Sequence, residues 1–117
     1  MTNSEIFRPW DVALVQFPFT DLPIAKKRPG LVRAVLGSAQ FGNLYVIAMV
    51  TSNVEAQALK GDYAVADWQA AGLLAPSRAR LGFVVTLKES LMLRKLGTLS
   101  ARDQRAARKA WEQVFAL

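Results

Sequence analysis

The stretch Leu44 to Val50 reads LYVIAMV and is followed at once by Thr51-Ser52-Asn53. Seven apolar residues, several of them β-branched, make a strand rather than a buried helix, and the absence of polar alternation means that both faces of that strand are covered. It is therefore the centre of a sheet. Thr, Ser and Asn bond their own backbone and end regular structure, so a functional group at positions 51–53 stands at the rim of a rigid element.

Working outward, Leu31 to Leu36 is a second strand, joined to the central one through the turn Gly37 to Asn43. The segment before it, Asp21 to Pro29, holds two prolines and the cluster Lys26-Lys27-Arg28; it reads as an exposed loop, with Pro29 at the first position of the strand. Asp11 to Phe19, DVALVQFPF, is a first strand closed by Pro18 and the turn-rich TDLP. On the other side, Gly61 to Ala66 is a short strand, and Trp68 to Leu73 a helical turn stopped by Gly72. Ser77 to Leu81, Phe83 to Leu87 and Leu93 to Leu99 are further strands, with Gly97 marking a bend or bulge. Ser100 caps a final helix with Asp103 three residues on, and Ala107, Ala110, Trp111 and Val114 recur on its core-directed face. Arg102, Arg105, Arg108 and Lys109 form its solvated surface. The expected fold is mainly β with a C-terminal helix: a strongly curved antiparallel sheet or small barrel, as a single domain over residues 1–117.

Composition narrows the chemistry. Lys and Arg outnumber Asp and Glu by 15 to 9, a formal charge of +6 that favours polyanionic partners, nucleic acid first. Cysteine and histidine are both absent, which removes disulfides, thiolate nucleophiles, the usual zinc ligands and every relay that needs an imidazole. No metal site and no cofactor is expected. The start of the chain shows no secretory pattern and no segment has the length of a membrane span, so a cytoplasmic setting without membrane contact is the expectation.

In an antiparallel hairpin the start of the Leu31 strand lies beside the end of the Leu44 strand, so Arg28 and Thr51 should face each other at one end of the sheet. Cleavage of RNA by its own 2′-hydroxyl needs a proton removed, charge stabilised on a phosphorane-like transition state, and the departing 5′-oxygen protonated. Arg28 suits the second task, because a guanidinium grips two phosphate oxygens and stays charged at any working pH. Thr51 can donate to or accept from the reacting oxygens, and Ser52 and Asn53 can hold a phosphate or a base edge. The proton carrier stays open between a water on Thr51 and Lys27. On charge alone Lys26 and Lys27 read equally as a solvated loop tip, and 51–53 as an ordinary turn.

Taken in order, the pieces DVALVQFPFTDLP, KKRP, VIAMVTSN, AGLLAPSRARL, VTLKESLMLRKLG and the closing Leu99-Ser100 helix resemble the PemK/MazF group of toxins from bacterial toxin–antitoxin systems. The resemblance runs over nearly the whole chain. It implies a small SH3-like β-barrel with helices, a homodimer, a cognate antitoxin, and metal-independent cleavage of single-stranded RNA that leaves a cyclic phosphate and a 5′-hydroxyl. It puts the catalytic arginine on Arg28 and the catalytic threonine on Thr51. Thr20, Lys26, Lys27, Ser52, Asn53, Arg78 and Arg80 are the RNA-binding residues expected around them. The chain departs from the group's pattern with Trp10 in place of a glycine, Gly30 in place of an aliphatic residue, and Asn53 in place of a glutamine. Two other readings stand beside this one: a toxin of the related CcdB type that poisons gyrase, and a catalytically silent binding barrel.

Overall fold

The computed structural model describes residues 6–17, 26–40 and 42–115. Six strands, β1 (Asp11–Phe17), β2 (Lys26–Ser38), β3 (Gly42–Thr51), β4 (Asp62–Ala64), β5 (Arg78–Lys88) and β6 (Met92–Thr98), precede the helix α1 (Ala101–Phe115). They form one antiparallel sheet in the order β4-β5-β3-β2-β1-β6. The LYVIAMV run lies inside β3, with β2 and β5 on its flanks. Its two faces feed two cores: Tyr45 and Ile47 pack with Phe7, Val15 and Phe17, while Ala48 and Val50 pack with Trp10, Val12, Leu31, Leu81 and the inner face of α1.

The expected mainly-β architecture holds, with three differences of extent. β2 begins at Lys26 rather than Leu31, because Lys26, Lys27 and Arg28 pair with Phe17, Gln16 and Val15 of β1. Charge decides that these side chains are exposed, not that their backbone leaves the ladder. Pro29 stands one residue before the β2–β3 pairing opens at Gly30↔Met49. The two short strands expected over 77–87 are one strand, interrupted by a bulge where pairing steps from Ala48↔Val84 to Met49↔Arg80 and leaves Leu81, Gly82 and Phe83 between. A 3-10 turn at Glu89–Leu91, with no sequence expectation, leads into β6.

The sheet is not closed by hydrogen bonds. Among the described residues β4 and β6 are its edges, and the turn after β4 fills the space between them. That turn is the single helical turn expected at Trp68–Leu73: Ala71 N–H reaches Asp67 O at 3.1 Å, Gly72 N–H reaches Gln69 O at 3.0 Å, and Leu73 N–H reaches Trp68 O at 3.0 Å. The last two bonds, with Gly72 at φ 82°, are a Schellman ending. It presses directly on β6, so that a Cβ on Gly72 would lie 2.0 Å from Leu96 O, and one on Gly97 would lie 2.5 Å from Ala71 C and O. Backbone packing thus replaces the missing ladder. The kink that brings β6 there is a bulge at Leu96, between Val12↔Gly97 and Ala13↔Lys95.

The helix N-terminus is held more firmly than a capping box alone would hold it. Asp103 N–H bonds Ser100 Oγ at 3.3 Å, and the fully buried Asp103 carboxylate accepts from Tyr63 Oη, from Ala66 N–H at 2.9 Å and from Asp67 N–H at 2.8 Å. Asp67 in turn accepts from Ser100 Oγ at 2.5 Å and from Arg102 Nε and Nη2 at 2.7 and 2.5 Å. Arg102, expected on the solvated face, is an ion-pair partner. Burial raises the Asp103 carboxyl, but the hydrogen bonds from Tyr63, Asp67, Ala66 and Ser100 outweigh it and hold the group below the ordinary range. The Tyr63 hydroxyl is pushed up to about 12 by burial and by its bond to Asp103.

At the far end of the helix, Arg33 lies 3.7 Å from the Trp10 ring centre and 4.8 Å from that of Trp111. Trp10 has φ 75°, a conformation that suits the glycine it replaces. Its backbone bonds hold it there, Trp10 N–H to Val32 O at 2.8 Å and Leu99 N–H to Trp10 O at 3.0 Å. Gly30 is compensated differently: a Cβ there would meet Ile47 Cγ2 at 2.4 Å, so the branched Ile47 occupies the volume an aliphatic residue would take.

Two outcomes are expected. Gly72→Ala puts a Cβ into β6 backbone at a left-handed position and should cost about 2 kcal/mol or more in urea unfolding. Because the Asp103 carboxyl titrates lower in the folded chain than in the unfolded one, its contribution is complete above about pH 4 and is lost as pH falls through the folded value. Acid unfolding of Asp103→Asn, followed by circular dichroism, should therefore be less steep than that of the parent protein.

Candidate functional site

A cleft of about 450 Å³ opens at the end of the sheet where β2 begins and β3 ends. Its floor is Leu14, Pro29 and Val50; Arg28, Thr51 and Ser52 stand on one side, Arg94 and Leu96 of β6 on another, and the segment from Gly72 to Ser77 makes the remaining wall. The β2–β3 pairing ends at Gly30↔Met49, and its register carried two residues further sets Arg28 opposite Thr51. Side chains directly opposite in an antiparallel pair share a face, so both residues reach the same cleft.

Thr51 is half-buried, and its Oγ1 accepts the Asn53 N–H at 3.1 Å. That bond fixes the oxygen and leaves the hydroxyl proton to donate into the cleft. Arg28 is exposed and, among the described residues, has no ion-pair partner; the same is true of Arg94. Among the described residues no carboxylate lines the cleft. Two guanidinium groups with no ion-pair partner among the described residues and the three hydroxyls of Thr51, Ser52 and Ser77, around an apolar floor, can receive an anion, with the hydroxyl of Thr51 available for hydrogen bonding or proton relay.

The other expected residues distribute unevenly. Ser52 lines the cleft and Asn53 follows it, exposed. Lys26 and Lys27 are exposed on β2 beyond the cleft lining, and Thr20 lies outside the described residues. Arg78 and Arg80 are turned to another use. Arg78 pairs with Thr51 across β3–β5, yet its guanidinium donates to Val54 O at 2.8 Å and Ala56 O at 2.9 Å and lies 3.5 Å from Asp62 Oδ2. Arg80 Nε binds Asp62 Oδ1 at 3.1 Å and its guanidinium lies 4.9 Å from the Phe83 ring centre. These two arginines hold the loop that follows Thr51 rather than facing the cleft.

A model of the PemK-like, MazF-like toxins of type II toxin–antitoxin systems matches residues 8–115. The chain belongs to this family. Among solved structures it is similar to Mycobacterium tuberculosis toxin MazF-mt6, at 22% identity and a TM-score of 0.67, covering 92% of this chain and 97% of that one. It is similar to MazF from Deinococcus radiodurans at 14% identity and a TM-score of 0.69, covering 97% and 100%. A mycobacterial endoribonuclease in complex with its cognate antitoxin aligns at 11% identity and a TM-score of 0.67, covering 93% and 94%. Comparison with curated protein sequences gives no significant match. Family membership is thus set by sequence over most of the chain, and the shared fold by structure. Among the described residues no helix is long and apolar enough to cross a membrane.

What the sequence reading of this toxin missed is the far side of the cleft. Arg94 and the wall from Gly72 to Ser77 come from segments more than twenty residues from either candidate catalytic residue. The one available signal was the exposed Arg94-Lys95 pair in the middle of a strand that starts on the buried Met92. Leu74, at the cleft mouth, is 100% exposed, which no local pattern marks. Replacing Arg78 with Met should free the loop over residues 52–60 without emptying the cleft. Expected are a stability loss of about 2 kcal/mol, from unmet carbonyls and a half-paired Asp62, and faster proteolytic cutting within that loop.

Proposed function

We propose that this toxin is an endoribonuclease that cleaves single-stranded RNA in the Arg28–Thr51 cleft. The observation that carries the reading is the convergence of Arg28, Thr51 and Arg94 on one cleft that, among the described residues, no carboxylate lines. The phosphodiester sits between the two guanidinium groups. A hydroxide held on the Thr51 hydroxyl takes the 2′-hydroxyl proton as the 2′-oxygen attacks phosphorus, Arg28 stabilises the added charge on the equatorial oxygens, and the water so formed returns that proton to the departing 5′-oxygen. One P–O bond forms and one breaks, giving a 2′,3′-cyclic phosphate and a 5′-hydroxyl. No metal and no cofactor enters these steps. Ser52 and Asn53 hold the neighbouring nucleotide, and Lys26 and Lys27 extend the positive surface along β2.

The same reading supplies the partners. An acidic antitoxin segment would occupy the cationic cleft and order as it binds, in keeping with the antitoxin complex of the mycobacterial neighbour. A homodimer and a cytoplasmic setting, where messenger RNA is exposed, complete the proposal. Membership in the toxin family, together with the paired Arg28 and Thr51, favours this over a gyrase poison or a silent barrel.

The test is cleavage of a defined single-stranded RNA in excess chelator with mapping of the new ends. Arg28→Ala is expected to lower the rate about 10²-fold to 10³-fold, the scale of losing a transition-state donor. Thr51→Ala is expected to lower it about 10²-fold to 10⁴-fold, the scale of losing a proton-transfer group. With no imidazole in the sequence and, among the described residues, no carboxylate in the cleft, log rate should rise smoothly with pH from about 5 to 8 without the break such a base would give. Undiminished cleavage in both variants removes these residues from the mechanism, and intact RNA with the parent protein removes the activity.

A further inference from the structure

The Asp103 carboxylate does more than cap a helix. A capping box satisfies donors at the helix's own N-terminus, whereas three of the groups bonded to Asp103 come from elsewhere: Tyr63 Oη from β4, and Ala66 N–H and Asp67 N–H from the segment that follows it. Asp67 returns the connection through Ser100 and through a bidentate ion pair with Arg102. Helix and turn are therefore clasped from both sides.

From Asp67 onward the chain has no slack. Ala71 N–H bonds Asp67 O, the Schellman bonds of Gly72 and Leu73 close on Gln69 and Trp68, and Gly72 is in backbone contact with Leu96. The next residues, Leu73, Leu74 and Ala75, are the cleft wall that faces Arg28 and Thr51. The wall's far end is pinned in the same region, by Val65 N–H to Ser77 O at 3.0 Å and Ser77 Oγ to Ala75 O at 2.8 Å. Both ends of the wall thus trace back to residues 65–67, two of which are held by Asp103 through their amides.

We propose that Asp103 is a positioning residue for the cleft, seating the Gly72–Ser77 wall against Arg28 and Thr51 through the amides of Ala66 and Asp67. This rests on the reading that RNA is cleaved in that cleft. Asp103 touches no substrate; it acts through the turn. A reacting group displaced by about 1 Å by a change outside the chemistry costs about 10²-fold in rate, so a shifted wall shows in turnover before it shows in binding.

The experiment compares Asp103→Asn, which keeps the volume but turns one acceptor oxygen into a donor, with Tyr63→Phe, which removes one donor and leaves both amide bonds. Lys109→Ala on the exposed face of α1 is the control. Single-turnover cleavage, RNA affinity by fluorescence anisotropy and residue-resolved amide hydrogen exchange are measured on variants shown to be folded by circular dichroism. Asp103→Asn is expected to cleave at least tenfold more slowly with affinity changed less than threefold. Its amides at 66, 67 and 71–73 should exchange at least tenfold faster, while those of β3 keep their protection. Tyr63→Phe should move all three readouts the same way by less, and it carries the test alone if Asp103→Asn does not fold. Parent-like cleavage in a folded variant, or a protection loss spread evenly over the molecule, overturns the proposal. If the parent protein leaves RNA intact, the activity reading falls, and hydrogen exchange at 66–73 still decides whether Asp103 seats the wall.

Discussion

The structure depends on one close approach, the backbone of Gly72 against the backbone of β6 at Leu96 and Gly97. Only residues without a side chain on both sides of that contact allow it. The contact joins the two edges of a sheet that has no ladder between them, ends the turn after β4, and sends the chain on as the wall of the cleft. The bulge at Leu96 serves the same contact, since it kinks β6 toward the turn. Without it the sheet would present two open edges, and Arg28 and Thr51 would stand on an unwalled rim.

Electrostatics divide the molecule in a similar way. Asp11 is bonded to Thr98, to Arg8 N–H and to Lys95; Asp62 is bonded to Arg78 and Arg80; Asp67 and Asp103 serve the helix N-terminus. These carboxylates are committed to structure, and none reaches the cleft. In a chain with a formal charge of +6, Arg28 and Arg94 are thus left in the cleft, where a polyanion would enter, with no salt-bridge partner among the described residues. The two arginines of the RAR motif illustrate the division, because the same residue type that serves the cleft at positions 28 and 94 serves the loop at positions 78 and 80.

What the sequence made legible was local or one hairpin away. The LYVIAMV run announced the central strand, and the hairpin between it and Leu31 was enough to bring Arg28 opposite Thr51. Gly72 as a stop, Gly97 as a kink and Ser100 as a cap all follow from backbone chemistry within a few residues. The parts that were not legible are set by contacts between distant segments. Lys26 to Arg28 pair in β2 because β1 offers a ladder, which their charge does not reveal. Arg78 and Arg94 look alike in sequence, and only the position of Asp62 and of the 54–56 carbonyls separates a loop clamp from a cleft cation. Asp103 reads as a capping residue because its other partners lie some forty residues earlier.

The Arg33 sandwich between Trp10 and Trp111 gives the molecule two different responses to ionic strength. That guanidinium is held by ring faces, with Nε and Nη1 buried and unbonded, so mobile ions have little access to the attraction that ties β2 to the helix end. The cleft arginines are exposed to solvent, and on the proposed function their hold on a phosphate would weaken as salt rises. Concentrated salt will therefore empty the cleft while leaving the fold that frames it in place.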